Sequence, residues 1–347
     1  MSKKKIIIIV SILLVSITII VIGFNSKKSY AVGTTLVDTV KALNKGSSWS
    51  AGASGVYYTN SHEYRYVGAE VNNYVKFNND LYRIIGVFDS NSHGVSNTEL
   101  VKLIRARSLG GYSWGVYNTD NSAGTYSGYA NDWTGKSKTS KANINVLLNE
   151  YFYNKTDTSS TYGDCANWTY YYSNNSYKTK DCSDIITYGI DSSLRGYIET
   201  TTWYLNGSGT NQGKQNWYLC ERGGNSCTSS GPSTGDTSVN SKIGLMYLSD
   251  YLYASGYYSS TSITAPQANY SNGNKNWLYK GWEWTMTPYA SDANHVWAVT
   301  YGKADSSFSH NSRGSRPTFY LKSSVYVTGG NGSFDDPYTL GCDNCTE

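Results

Sequence analysis

The first 31 residues contain the feature that most limits how this chain can fold. Three lysines, Lys3 to Lys5, precede an uncharged apolar run of 19 residues at 6–24, and small residues at Ser29 and Ala31 follow it. Such a run is long enough for the core of a signal peptide and just long enough to cross a bilayer as a helix. We therefore expect residues 1–31 to be a cleaved signal peptide or an uncleaved N-terminal membrane anchor. Both alternatives place the rest of the chain outside the plasma membrane, at the cell surface or in the medium.

The chain beyond this segment is close to electrically neutral. The sequence contains 29 basic and 25 acidic residues, and five of the lysines but none of the acids precede Val32. The remainder therefore carries 24 basic and 25 acidic residues. Because nucleic-acid-binding domains are usually clearly basic, we expect no nucleic-acid partner, and membrane contact only through the N-terminal segment.

The hydrophobic pattern predicts an α+β fold with a mainly antiparallel sheet. Residues 74–77 and 81–88 are typical of a hairpin, because Asn78, Asn79 and Asp80 between them favour a tight turn. Residues 99–106 predict a third strand. Five more strands are predicted at 243–248, 282–287, 295–301, 317–322 and 325–328.

Helical spacing of apolar residues appears at 35–43 and 141–153. In the second, one face would carry Ile144, Leu147, Leu148, Tyr151 and Phe152. A further helix is predicted over 192–203, with Ser192 or Ser193 as its N-cap and Gly207 just past its end. The predicted organisation is an N-terminal apolar helix over 1–31, a short helix and Gly/Ser linker over 32–55, one exported domain over 56–341, and a cysteine-containing tail over 342–347.

Six cysteines fall in three close pairs, and in an oxidising compartment the simplest expectation is three local disulfides that pin long loops. The pairs are Cys165 with Cys182, Cys220 with Cys227, and Cys342 with Cys345. The alternatives are a redox Cys-x-x-Cys at Cys342 and a zinc site. A redox pair usually lies where a helix begins, and zinc would need a second half-site, so both are disfavoured.

Several segments carry a likeness to a known family: Tyr66-Val67-Gly68, Asn73 to Phe77, Tyr82 to Gly86, Ile243 to Tyr247, Trp284 to Pro288, Arg316 to Lys322 and Gly330 to Tyr338. Over residues 64–340 the chain resembles an uncharacterised domain of exported proteins from Gram-positive gut bacteria. That family is similar in pattern to the C-type-lectin-like fold that formylglycine-generating enzymes share. The resemblance implies a C-type-lectin-like domain with long, disulfide-pinned loops.

The same resemblance speaks against oxidase chemistry. Formylglycine-generating enzymes bind copper through two cysteines that follow their Trp-Glu-Trp-Thr segment, and here no cysteine lies between Trp284 and Gly341. Residues 111–115 match Gly-x-Ser-x-Gly, but the polar stretch that follows does not predict the helix of a nucleophile elbow. Asp335 and Asp336 lack a calcium-loop pattern, and the four histidines lack a metal-binding spacing. We therefore expect no catalytic residue, no metal and no cofactor.

Recognition residues are expected near an aromatic cluster at 277–301. Strand alternation should turn Trp282, Trp284 and Met286 toward the core and leave 287–296 as an exposed loop. The ligand-binding candidates are Tyr289, Asp292, Asn294 and His295 on this loop and Arg313 on a second one. The sequence thus favours a non-catalytic extracellular module that binds a glycan, a cell-wall polymer or a surface protein. The alternatives are an extracellular enzyme, either a hydrolase or a degenerate oxidase, and a structural subunit of a surface polymer.

Overall fold

A computed structural model describes most of the chain beyond the N-terminal segment. The described residues are 33–50, 52–115, 131–134, 143–155, 168–173, 176–180, 183–210, 212–224, 236–256, 276–292, 294–309 and 311–347. Over these ranges, no helix has both the length and the apolar character needed to cross a bilayer. The apolar run at 6–24, and with it the expected N-terminal helix, lies outside them.

The chain is α+β, with two larger sheets that are mainly antiparallel, as the pattern predicts. The strands of the first sheet, numbered along the chain, are β1 (Gly55–Tyr58), β2 (Tyr64–Val67), β3 (Tyr74–Phe77), β4 (Asp80–Phe88), β5 (Leu100–Arg105) and β15 (Thr318–Leu321). Their order is β1-β2-β4-β5-β15, with β3 paired to β4 on the same side as β2.

Strands β3 and β4 form the predicted hairpin, with a tight turn at Asn78 and Asn79. Asn78 and Asn79 have φ angles of 54° and 57°, in the left-handed region that asparagine tolerates better than most residues. Across the hairpin, Tyr74 lies directly opposite Arg83. Because opposite residues in an antiparallel pair project from the same face, these two side chains are brought together.

The second sheet contains the aromatic cluster. It is built from β6 (Gly111–Tyr112), β11 (Glu283–Pro288), β12 (His295–Thr300), β13 (Lys303–Phe308) and β14 (Arg313–Gly314), in the order β13-β12-β11-β14-β6. Every residue of β11 is buried, so this strand has no solvent-facing side. Trp282, expected in the core, instead precedes β11 and is 42% exposed. Strand alternation does not set the environment of Trp282, because the strand begins one residue later, at Glu283.

Smaller elements complete the fold. Three two-stranded sheets pair β7 (Trp168–Ser173) with β8 (Ser176–Lys180), β9 (Thr201–Tyr204) with β10 (Ser238–Ser241), and β16 (Tyr326–Gly329) with β17 (Thr339–Gly341). The α-helices are α1 (Leu36–Lys41), α2 (Ser90–His93), α3 (Asn143–Val146), α4 (Ser183–Thr187), α5 (Ser192–Arg195), α6 (Lys214–Glu221) and α7 (Leu248–Tyr253). A π-helical segment, Leu147–Tyr153, continues α3, and its apolar face is buried as predicted.

Two sequence predictions of secondary structure are wrong. The helix expected over 192–203 ends after one turn at Arg195, and β9 follows it. Three consecutive threonines at 200–202 and the buried Trp203 favour the strand, which pairs with β10. The strand expected over 243–248 is an extended segment that leads into α7. There the backbone N–H of Tyr247 donates to Asp250 Oδ2 at 2.9 Å and begins the helix.

The cysteines that the structure describes are disulfide-bonded. Cys342 and Cys345 are joined to each other, which confirms that local pair. Cys220 is also in a disulfide. Its expected partner Cys227, and the predicted pair of Cys165 and Cys182, lie outside the described residues.

A buried ion cluster joins the first sheet to α7. Asp250 accepts hydrogen bonds from Arg65 Nη1 at 2.8 Å and from Lys102 Nζ at 2.6 Å, and all three side chains are buried. Burial would raise the pKa of Asp250, but the two adjacent cations outweigh it and hold that pKa at about 2. Burial lowers the pKa of Lys102 to about 8, against the opposing effect of Asp250. The buried charge of Asp250 and those of Arg65 and Lys102 therefore stabilise each other, and removing Asp250 would leave Lys102 without its hydrogen-bonded counter-charge.

Candidate functional site

Three of the five predicted ligand-binding residues lie together at one end of β11. The ring of Tyr289 packs edge-on against those of His295, at 5.9 Å between centroids, and Trp297, at 5.3 Å. His295 Nδ1 and Asp292 Oδ2 are 2.7 Å apart and share a hydrogen bond. The carbonyls of Tyr289 and His295 both accept from Asn131 Nδ2. This loop is held in place by its own contacts and is only partly exposed.

Of the other two predicted residues, Asn294 lies in this same loop and Arg313 has a separate environment. Asn294 is half-buried, and its backbone N–H donates to Asp292 Oδ1 at 2.8 Å. The Arg313 guanidinium lies 4.6 Å from the ring centre of Trp282, which precedes the opposite end of β11. Tyr301 packs on that same tryptophan, with ring centroids 4.7 Å apart. Arg313 therefore belongs to an aromatic patch with Trp282 and Tyr301, and not to the Tyr289 loop.

Ser113, the serine of the Gly-x-Ser-x-Gly match, is 3% exposed. The segment that would follow an elbow, from residue 116 to 130, lies outside the described residues. Within the described ranges, no group of three or more histidine, cysteine, aspartate or glutamate side chains is arranged to hold a metal ion.

A cleft of about 640 Å³ lies on the first sheet, away from these predicted residues. Its wall combines aromatic rings with charged and amide groups, and this mixture is typical of small-molecule sites. The lining residues are Ala69, Glu70, Val71, Asn72, Tyr74, Arg83, Asn276, Trp277, Tyr279, Lys280 and Phe334.

Segments that are distant in sequence meet at the cleft. The β3–β4 hairpin supplies Tyr74 and Arg83. Trp277 is fixed against β2 and the residue after it, because its indole N–H donates to the Tyr66 carbonyl and its backbone N–H to the Gly68 carbonyl, both at 2.8 Å. The connection between β16 and β17 brings Phe334, whose ring meets that of Tyr74 edge-on at 5.4 Å.

The position of Phe334 is set by backbone bonding to the free edge of β3. The Tyr74 N–H donates to the Gly332 carbonyl at 2.8 Å, and the Tyr338 N–H donates to the Tyr74 carbonyl at 2.9 Å. The turn between these contacts is closed by hydrogen bonds from Asn331 and Gly332 to the Asp336 carbonyl. This region includes Asp335 and Asp336, for which the sequence indicated no metal-binding role.

Arg83 lies between two rings at the base of the cleft. Its guanidinium carbon is 4.3 Å from the ring centre of Tyr74 and 4.5 Å from that of Trp277. The residue is 4% exposed. Burial, with a smaller contribution from the nearby Arg316 cation, lowers the pKa of Arg83 to about 10. It therefore stays charged at neutral pH and gives this end of the cleft a positive potential.

Some polar groups that line the cleft are hydrogen-bonded within the protein, and others are exposed to solvent. Asn276 is engaged, because its amide donates to the Tyr251 carbonyl and its side-chain oxygen accepts from the Leu278 N–H. Lys280 is exposed at the opening. Partial burial, followed by the Arg83 and Arg316 cations, lowers the pKa of Lys280. Asn72 and Glu70 are also exposed at the opening.

Little in the sequence points to this cleft. Alternation along β3 and β4 predicts that Tyr74 and Arg83 share a face, and that is the one local signal that could have indicated it. Trp277 is 194 residues from Arg83 along the chain. No periodic pattern links residues so far apart, so only the tertiary structure brings them together.

Comparisons with known proteins identify no protein similar to this chain. No family model, no curated protein and no solved structure matches this chain. The candidate site has to be interpreted from its own chemistry.

Proposed function

We propose that this protein is an exported, non-catalytic binding module that holds a saccharide in the cleft between Tyr74, Trp277 and Phe334. The observation that carries the proposal is the composition of the cleft wall, in which four aromatic rings are combined with charged and amide groups. Sugar rings present apolar C–H faces that pack on aromatic rings, and hydroxyl groups that need polar partners at the edges. A cleft of this kind suits both requirements.

The size of the cleft and the exposure of Phe334 support the same conclusion. A volume of about 640 Å³ lies within the range of small-molecule sites and suits a short oligosaccharide better than a protein surface. Phe334 is 59% exposed, and its ring contacts that of Tyr74 edge-on, so much of the ring is accessible to a ligand in the cleft. The export signal expected at residues 1–31 would bring such a site to the glycans and cell-wall polymers outside the cell.

The predicted loop around Tyr289 and His295 is the second candidate surface. Its rings are already packed on Trp297 and Phe308, which leaves less aromatic area for a ligand than the cleft offers. The loop stays a prediction, and the experiment below separates it from the cleft.

A glycan and cell-wall polymer array, probed with the purified protein, tests the proposal. For the saccharides that bind, Phe334→Ala should weaken binding at least tenfold, because it removes a ring from the cleft. Tyr301→Ala is the matched control: this aromatic residue is equally exposed, at 59%, on the second sheet. Loss of binding in Tyr289→Ala with normal binding in Phe334→Ala would move the site to the loop. No binding to any saccharide on the array would overturn the proposed function.

A further inference from the structure

The ionic environment of Arg83 differs from that of the other arginines with buried or nearly buried side chains. Each of those has a carboxylate partner: Arg65 with Glu63 and Asp250, Arg105 with Asp80, Arg222 with Glu221, and Arg316 with Glu283. Arg83 makes three hydrogen bonds, all to uncharged acceptors. They run from Nε to Asn73 Oδ1 at 2.7 Å, from Nη1 to the Trp277 carbonyl at 3.1 Å, and from Nη2 to the Val71 carbonyl at 3.3 Å. Among the described residues, no carboxylate pairs with it.

Such a cation is costly to bury, because uncharged acceptors replace only part of its hydration. The rings of Tyr74 and Trp277 offset some of the cost by cation–π contact. A guanidinium has five N–H donors, and three are used here, so one remains on each terminal nitrogen. Two donors on adjacent nitrogens suit the two oxygens of a planar carboxylate.

The charges around the cleft reinforce this preference. Lys280 lies at the opening, and Arg83 is close enough to contribute to the lowered pKa of its ammonium. Arg316 is neutralised by Glu283, through contacts of 2.7 Å. Glu70 is the one carboxylate among the lining residues, and it is exposed to solvent. The lining residues thus carry two cations against one screened anion.

We propose, on the basis of the saccharide-binding function above, that the cleft selects saccharides that carry a carboxylate, such as uronic-acid oligosaccharides. The carboxylate lies between Arg83 and Lys280, and the sugar ring packs against Tyr74 and Phe334. A neutral sugar would make the same ring contacts but would leave the Arg83 charge without an anion. The charge therefore supplies specificity, and the rings supply contact that every saccharide can share.

The test compares ligands that differ in charge alone. Binding of an oligogalacturonate to the purified protein is measured by calorimetry, beside the same oligomer as its methyl ester and beside a sugar phosphate. The acid is expected to bind at least tenfold more tightly than the ester, and its affinity should fall as salt is raised. Lys280→Gln should weaken binding of the acid about tenfold and leave the ester unchanged. Lys303→Gln, an exposed lysine on the second sheet, should change neither.

Arg83 is tested by a conservative and a neutral variant, with thermal melts to confirm folding. Arg83→Lys retains the charge and should keep part of the preference for the acid. Arg83→Met should remove most of that preference and leave only the contribution of Lys280. Equal binding of acid and ester would overturn this inference and leave the saccharide-binding function standing. Binding of neither would also overturn this inference, whereas the function itself fails only if no saccharide on the array binds. Tight binding of the phosphate alone would overturn the preference for a carboxylate in favour of another class of anion.

Discussion

Replacing Asp250 with asparagine tests whether the buried ion cluster stabilises the fold as its geometry indicates. Asp250 is the only anion in direct contact with Lys102 among the described residues, and it shares Arg65 with Glu63. The asparagine side chain would keep the shape of the aspartate and, through its carbonyl oxygen, the bond from the Tyr247 N–H. It would leave the buried Lys102 ammonium without a counter-charge.

Two considerations bound the effect. Breaking one partner out of a buried ion pair costs about 3–5 kcal/mol. The shift of the Asp250 pKa from 3.8 to about 2 corresponds to about 2 kcal/mol of stability at neutral pH. We therefore expect Asp250→Asn to reduce the free energy of unfolding by about 2–5 kcal/mol. A loss of about 4 kcal/mol would lower Tm by about 6 °C at an unfolding entropy of roughly 2.1 cal/mol/K per residue.

The pH dependence gives a second readout. A carboxylate with a depressed pKa stabilises the folded state above its ordinary pKa, and this contribution is lost as the pH falls through the folded-state value. The wild-type protein should therefore lose this contribution between about pH 4 and pH 2. Asp250→Asn should show a flatter acid limb, because asparagine does not titrate.

Lys102→Met provides the comparison within the cluster. It leaves Asp250 with Arg65 and the Tyr247 N–H, and it places an apolar side chain among rings that already surround Lys102. We expect a loss of less than about 2 kcal/mol, clearly smaller than that of Asp250→Asn. Urea unfolding at pH 7 measures both, with Asp335→Asn, an exposed carboxylate, as the control. Equal losses in the two cluster variants, or an Asp250→Asn variant as stable as the control, would refute the reasoning.

Three further outcomes are expected. Trp284→Ala should reduce the free energy of unfolding, measured in urea, by about 3–5 kcal/mol, because this tryptophan is 1% exposed and its indole N–H donates to the Tyr112 carbonyl. A loss below about 1 kcal/mol would contradict its place in the core. Burial, with a smaller contribution from Arg65, lowers the pKa of Lys214 to about 7, so below pH 7 the folded protein carries a buried charge. Lys214→Met should therefore raise Tm most below pH 7, with a gain that shrinks as the pH rises toward 10.5, and a gain independent of pH would argue against this. N-terminal sequencing of the protein from an exporting host should find Val32 as the first residue if the signal is cleaved. Protection of the protein from a protease added outside the cells would contradict the export prediction.

The elements whose signals are local could be predicted from the chain alone. The Asn78-Asn79 turn, α1, the buried face around Leu147 and the strands β11 and β12 all follow from residue preferences and spacing over a few positions. Local preference is sufficient there because the backbone conformation and the apolar face are set within one element. The disulfide between Cys342 and Cys345 was predictable for the same reason, since only two residues separate them.

Which faces are covered and which residues meet depends on the folded chain as a whole. Trp282 has the residue type of a core position but lies at the surface, whereas Glu283 beside it is buried because Arg316 neutralises it. The end of the helix predicted over 192–203 is instead a strand because β10, more than 30 residues later, pairs with it. The strand predicted over 243–248 has no long strand partner in the described part of the chain, and it leads into a helix that begins with the bond from Tyr247 to Asp250. The cleft shows the same limit: Arg83 acquires its chemistry from its contacts with Trp277 and from having no carboxylate hydrogen-bonded to it among the described residues. Packing and electrostatics depend on all neighbours in space, and sequence spacing records only the neighbours along the chain.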